Sequence, residues 1–277
     1  MNKVNILGVK IDKVTQVRVL EKLDSFLGQQ IITANPEIVL AAWQNQEYRD
    51  LINNSELVVA DGIGLLWAAK FLSLPSDHLL TSLIQTMVSG ASLVFAPDYC
   101  KEVLPERISG VDLMEKICEL ASQKNWKIYL LGAQEGIAAK TAEVLKNKYL
   151  NLNIVGAEAG GEIPSTNFQD TNNFQITISK IEETQPDILF VAMGSPKQDF
   201  MAKEILRRAP WLKLAMGVGG AFDFISGKTR RAPVIYQDIG IEWLWRLFTQ
   251  PWRFFRTFNA TVRFIWNVIK FKQLYIK

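Results

Sequence analysis

The chain has 277 residues, enough for one large α/β domain or two small ones with a full hydrophobic core. Its formal net charge of +3 hides an asymmetry: residues 242–277 carry seven basic side chains and one acidic, whereas residues 1–241 carry 24 basic and 27 acidic. With 48% hydrophobic residues, a mean hydropathy of +0.06, no low-complexity tract and no repeat, the composition excludes a disordered, collagenous or disulfide-stapled protein.

In chain order, "MNKVNILGVKIDKVTQ" lacks the apolar core of a signal peptide, and residues 4–9 read as a strand. A helix is expected over 15–27, a strand over 30–34, and a helix opening at Pro36, a residue suited to a first helical turn. "ELVVA" (56–60) reads as a strand ending at Asp61, followed by the helical "GLLWAAKFL". Residues 79–97 carry no charge, yet their Ser, Thr, Gln and Gly content makes a poor membrane span and predicts a buried or interface-lying helical hairpin. Beyond it come a helix over 110–124, a strand over 127–133, a helix from Glu135 and a strand at 152–160. A helix over 174–185, a strand over 187–194, a helix from Lys197 and a strand over 212–220 complete the alternation. Near-continuous apolar strands alternating with helices predict an α/β fold, a Rossmann-like parallel sheet with helices on both faces.

The last segment, 242–277, holds 11 of the 29 aromatic residues and is split by Pro251. Arg253, Arg256, Arg263 and Lys270 fall within about 100° of a helical wheel. Two readings fit: a packing helix with a solvated basic edge, or a cationic amphipathic segment on an anionic bilayer, to which the aromatic content points. The expected organisation is an α/β domain over 1–241, with an insertion near 76–103, and a helical, membrane-associating appendage over 242–277. So apolar a tail also points to association, a homo-oligomer among the options.

Ligands of parallel sheets bind at the carboxyl ends of the strands, and there the sequence places Thr33 and Asn35, Asp61, Lys197 and Gln198, and Asp223 among glycines. Asp61 reads either as an N-cap of the following helix or as a general base, and Asp223 as a turn cap or a ligand contact. Thr33, Asn35 and Gln198 can equally serve the strand-end backbone. The Gly132–Gly136 turn is a weak phosphate-loop signal. A single histidine, His78, excludes a His-based triad or zinc centre, and no Walker or DxD motif occurs. Cys100 and Cys118 lack ligand spacing and read as packing thiols in a reducing compartment.

"TANPEIV", "VVADGIG", "ERISGVDL", "KIYLLGAQEG", "MGSPKQD", "GVGGAFDFISGKTRRAP" and "EWLWRLFTQPWRFFR" together resemble the WecG/TagA/CpsF glycosyltransferase family, in its motif order and over about residues 1–260. The resemblance implies an inverting transfer, with neither metal nor cofactor, of a sugar from a UDP donor to a polyprenyl-diphosphate-linked acceptor sugar. The family's best-characterised activity moves N-acetylmannosamine onto undecaprenyl-diphospho-N-acetylglucosamine, peripherally at the cytoplasmic membrane face. It implies that Asp61 is the base, that Thr33 assists at the acceptor with Asn35 lining the same pocket, and that Arg107 is a substrate-binding position. Gln198 and Asp223 are implied near the nucleotide sugar, and Arg246, Arg253 and Arg256 at the diphosphate. Two departures stand out. About 30 residues intervene between the helix that "DGIG" opens and "ERISG" where the family has about a dozen, and Asp199 stands where it usually has Glu.

The chemistry is coherent: inversion needs one base for the acceptor hydroxyl, and departing UDP needs arginines or helix N-termini where no metal serves. Two rival readings fit the sequence less well. A nucleotide-dependent oxidoreductase needs a dinucleotide loop that "LLGAQEG" does not supply, and a nucleic-acid-binding module conflicts with the acidic body.

Overall fold

The structure is a computed structural model that describes residues 2–75, 78–161, 171–233 and 254–275, with residues 236 and 245 besides. Strands β1 (Lys3–Ile6) and β2 (Val9–Asp12) form an antiparallel hairpin that reverses at Leu7 and Gly8, at φ of 51° and 81°. The expected single strand over 4–9 is thus two. Leu7 takes the left-handed conformation without being Gly or Asn, and its fully buried side chain holds it there.

Helix α1 (Gln16–Lys22) leads to β3 (Gln29–Ala34), α2 (Pro36–Gln44), α3 (Gln46–Asn53), β4 (Leu57–Ala60) and α4 (Ile63–Ser73). Asn35 and Asn45 cap α2 and α3 by accepting the amides of Ile38 and Tyr48. Next come α5 (Leu79–Phe95), α6 (Pro97–Lys101), α7 (Gly110–Lys124), β5 (Lys127–Gly132), α8 (Ile137–Lys148) and β6 (Asn153–Glu158). The chain then forms α9 (Asn172–Thr184), β7 (Ile188–Ala192), α10 (Lys197–Arg208), β8 (Leu214–Gly217), α11 (Ala221–Ile225) and α12 (Phe254–Tyr275).

Six strands pair in the order β4-β3-β8-β7-β5-β6, all parallel. Every residue of β4, β7 and β8 is buried, so both faces of the sheet are covered. The pleat divides the side chains: Ile31, Leu57 and Val59 pack with α1, α7 and α8, while Ile32 and Val58 pack with α2, α4 and α12.

Helix α12 buries Phe264, Val268, Ile269 and Phe271 against the body, with Phe264 6.4 Å from the Trp67 ring and Phe271 edge-on to Trp43 at 5.9 Å. Its outer face keeps Arg263, Trp266 and Lys270 exposed. Both features of the tail therefore coexist, a packed inner face and a basic, aromatic outer one. Among the described residues, no helix is long and apolar enough to cross a membrane. Cys100 and Cys118 are free and buried.

Candidate active site

The carboxyl ends of β3 and β4 carry the first cluster. The Asp61 amide donates to the Ala34 carbonyl at 2.6 Å, prolonging the β3–β4 ladder by one residue. The N-cap of α4 is Gly62, at φ 136°, so Asp61 does not cap the helix that follows it. Its carboxylate turns instead to α7, where Oδ2 accepts the Gly110 amide at 3.0 Å. The chain before α7 is laid along the end of β4 by the Ile108 amide, which donates to the Ala60 carbonyl at 2.8 Å. The positive end of a 15-residue helix thus faces Asp61. Thr33 reaches the same point from β3: a methyl group on Gly110 would lie 3.2 Å from Thr33 Oγ1 and 3.3 Å from Asp61 Oδ2. Hydroxyl, carboxylate and helix N-terminus converge where a glycine leaves the most room. Asn35, two residues beyond Thr33, spends its Oδ1 on capping α2.

Arg107 is half-buried just before α7, close enough for its charge to act on Asp112. Burial pushes the Asp112 carboxyl up, but the Arg231 fork, Ser109 and Arg107 outweigh it and hold it below the usual carboxylate range. Arg231 binds Asp112 bidentately, at 2.6 and 2.9 Å. Arg231 is not among the residues the sequence singled out; the Arg230–Arg231 pair in "GKTRRAP" is the signal. It pins the last described loop of the α/β body to α7. Arg246 and Arg253 lie outside the described residues; Arg256 falls in α12, its side chain outside what is described.

The ends of β7 and β8 are joined by Gln198. This side chain is 3% exposed; Oε1 accepts the amides of Gly194 at 3.1 Å and Gly219 at 2.9 Å, and Nε2 donates to Ser195 Oγ at 3.1 Å. Gln198 therefore fixes the two loops relative to each other. Beneath it lies Asp199, whose Oδ2 accepts from Tyr48 Oη at 2.6 Å and whose backbone carbonyl accepts from Gln30 Nε2 at 2.8 Å. Burial pushes the Asp199 carboxyl up to about 6, although Tyr48, Ser195 and Gln198 all donate to it. A Cβ on Gly217 would come within 2.6 Å of both Asp199 Oδ1 and Gln198 Nε2, so this pair requires the glycine at the end of β8. The shorter acid at 199 is accommodated in this buried network, which Gln30 and Tyr48 complete from far away in sequence.

Asp223, on α11, pairs through Oδ1 with Lys228 Nζ at 3.1 Å, and the same ammonium donates to Gln134 Oε1 at 2.7 Å, beyond β5. Neither Lys228 nor Gln134 stood out in the sequence. Gly132 is explained by packing, since a Cβ there would meet the Ala192 carbonyl oxygen at 2.6 Å. Lys197 is half-buried at the start of α10, and burial lowers its ammonium from the ordinary lysine value. Among the described residues no group of three or more His, Cys, Asp or Glu could hold a metal ion.

The structure thus brings Thr33 and Asp61 together, and sets Asn35, Gln198 and Asp223 along the same edge of the sheet. The family model for the glycosyl transferase WecG/TagA/CpsF family matches residues 4–89 and 77–275. The chain is 30% identical over 279 residues to the N-acetylglucosaminyldiphosphoundecaprenol N-acetyl-beta-D-mannosaminyltransferase of Staphylococcus aureus strain MRSA252, covering 98% of this chain and 94% of that protein. It is 29% identical to the protein of the same name from strain MW2, with the same coverage. With that match running the length of the chain, over a parallel sheet whose carboxyl edge gathers these side chains, the chain belongs to the glycosyl transferase WecG/TagA/CpsF family.

Proposed function

We propose that the protein transfers N-acetylmannosamine, or a closely related sugar, from a UDP donor to a polyprenyl-diphosphate-linked N-acetylglucosamine, with inversion and without a metal ion. The relatives' names support the sugar and the lipid-linked acceptor. The observation that carries the chemistry is the meeting of Thr33 Oγ1 and Asp61 Oδ2 at Gly110.

In this reading Asp61 takes the proton of the acceptor hydroxyl as that oxygen attacks the anomeric carbon from the side opposite UDP. Oδ2 is held by the Gly110 amide, which fixes the carboxylate's orientation. Thr33 orients the incoming hydroxyl, and Asn35 and Arg107 line the acceptor side. The donor lies over the ends of β7 and β8, where Gln198 positions the loops and Asp223, with Lys228, faces the nucleotide sugar. Arg246, Arg253 and Arg256 meet the diphosphate charge that grows as UDP departs. The enzyme works peripherally, at the cytoplasmic face of a membrane, where its acceptor resides.

The test is transfer from UDP-N-acetylmannosamine to a short-chain lipid-diphosphate N-acetylglucosamine. Asp61→Asn keeps its fold and loses about 10²–10⁴-fold in kcat, the range for removing a general base. Near-normal turnover by this variant would overturn the assignment.

A further inference from the structure

Helix α5 is built inside out. Its polar side chains point into the protein: Ser89 Oγ accepts from Trp67 Nε1 at 2.9 Å, Gln85 Oε1 from Lys272 Nζ at 2.7 Å, and Ser82 Oγ from Gln273 Nε2 at 3.2 Å. Ser82 and Ser89 are fully buried. Five of its apolar side chains point out, Leu93 near its end packing inward instead: Leu80 is 70% exposed, Leu83 41%, Ile84 55%, Met87 76% and Val88 59%. These five follow the i, i+3, i+4, i+7, i+8 spacing of a single helical stripe. A surface helix in water carries the opposite arrangement. So many large apolar side chains in one uncharged stripe mark a face made for a non-aqueous neighbour.

What lies beside the stripe identifies the neighbour. Helix α12 abuts α5 through the Gln85 and Ser82 contacts, and its outer face exposes Arg263, Trp266, Lys270 and Leu274. Lys270 Nζ lies 5.1 Å from the centre of the Trp266 ring. Residues 243–277 contain no acid, and residues 79–97 no charge of either sign. An apolar stripe flanked by cations and an amphipathic indole complements acyl chains beneath anionic headgroups. A second copy of the chain fits less well, because a two-fold interface sets each patch against its own counterpart and so brings together cations of one sign. At 17 residues, about 26 Å, α5 lies in the bilayer surface rather than crossing it.

We propose that α5 is an interfacial helix that beds its Leu80–Val88 stripe in the acyl boundary of an anionic bilayer, while the outer face of α12 contacts the headgroups. This builds on the lipid-linked acceptor of the proposed function, yet its test requires no turnover. The full-length Met87→Cys variant is labelled with the fluorophore NBD; Cys100 and Cys118 are buried, and unlabelled wild type exposed to the same reagent corrects for them. Vesicles of phosphatidylcholine with phosphatidylglycerol are expected to shift NBD emission to the blue and raise its intensity several-fold, and pure phosphatidylcholine to do so less. In sedimentation, the variant Leu80→Gln, Ile84→Gln, Met87→Gln is expected to partition onto the mixed vesicles on the order of 10²-fold more weakly than wild type. Its melting temperature and its transfer to a water-soluble acceptor are expected to stay at wild-type levels.

Equal partitioning of the two proteins overturns the proposal, as does an NBD probe blind to vesicles. A blue shift that grows with protein concentration without lipid, at doubled mass, assigns the stripe to self-association instead. Loss of transfer in all proteins alongside normal vesicle behaviour leaves α5 as proposed and tells against the transferase reading alone.

Discussion

Gly110→Ala separates the chemistry of the site from the stability of the fold. Gly110 is the first residue of α7, is buried, and does not occupy the left-handed region, so alanine fits its backbone. Replacing glycine favours a helix by as much as about 1 kcal/mol, and by less at a terminus. Against this stands the new methyl, 3.2 Å from Thr33 Oγ1 and 3.3 Å from Asp61 Oδ2. Each contact is tighter than comfortable by a few tenths of an ångström, a strain that small side-chain movements relieve. The two effects nearly cancel, which sets the melting temperature within about 2–4 °C of wild type. Turnover responds differently, because the movements that relieve the contact displace the two groups proposed to receive and orient the acceptor hydroxyl. A misplacement of 1 Å at reacting groups costs on the order of 10²-fold, so a few tenths shared by two groups predicts a loss of about tenfold in kcat. The assay is UDP release with and without acceptor, beside a thermal melt. A variant with wild-type melting and turnover within about twofold of wild type would refute the reasoning, since the acceptor oxygen could not then approach between Thr33 and Asp61.

Gln198→Ala leaves the Gly194 and Gly219 amides without their shared acceptor and is expected to cost about 1–3 kcal/mol. Because both loops belong to the proposed donor side, the KM for the UDP-sugar rises while the KM for the acceptor holds; a rise confined to the acceptor would reverse that placement. Asp199→Asn tests the buried acid through pH. The folded state holds this carboxyl up to about 6, whereas in the unfolded chain it lies near 4, so folding favours the proton between those values. Stability owed to neutral Asp199 is complete below about pH 4 and is lost as pH rises through about 6. Asn stays neutral throughout, so the variant gains on wild type as pH rises from about 4 through about 6 and the gap is constant above that; parallel melting curves across that range would count against a buried, proton-binding Asp199.

Much of the sheet could be read directly because a strand buried on both faces must be apolar along its whole length, as "LVVA" and "ILFVA" are. The hairpin of β1 and β2 escaped because Leu7 turns the chain without a turn-forming residue. Helix α3 lay unread between a predicted helix and a predicted strand, although Asn45 supplied its cap. Thr33 and Asp61 were legible as strand-end residues on adjacent elements, but Gly110, the point where they meet, belongs to a segment 49 residues beyond Asp61. The network around Asp199 was further out of reach, since Tyr48 and Gln30 stand 151 and 169 positions away in sequence. For α5, the absence of charge was plain, yet composition alone does not say which face turns outward. That depends on where α4 and α12 place their donors.

Helix α4 joins the candidate base to the docking face. It begins two residues after Asp61 and is buried at every position from Leu65 to Leu72, Lys70 included, whose ammonium pairs with Glu102. Along its 11 residues, about 16 Å, it meets both helices of the proposed docking face, α5 and α12. Trp67 holds Ser89 of α5 and packs on Phe264 of α12, and the Phe71 carbonyl accepts from Lys272 Nζ at 2.7 Å. Trp67 and Phe71 stack at 5.3 Å, so the two anchor points are one rigid unit. In the proposed docking, the height of Asp61 above the lipid surface is set by a buried helix rather than by a hinged linker. Such a strut suits an acceptor whose diphosphate stays at the headgroups while its sugar must reach the sheet edge. On the proposed function and docking, the insertion serves the reaction without touching it, by holding the candidate site at a fixed distance from the bilayer plane.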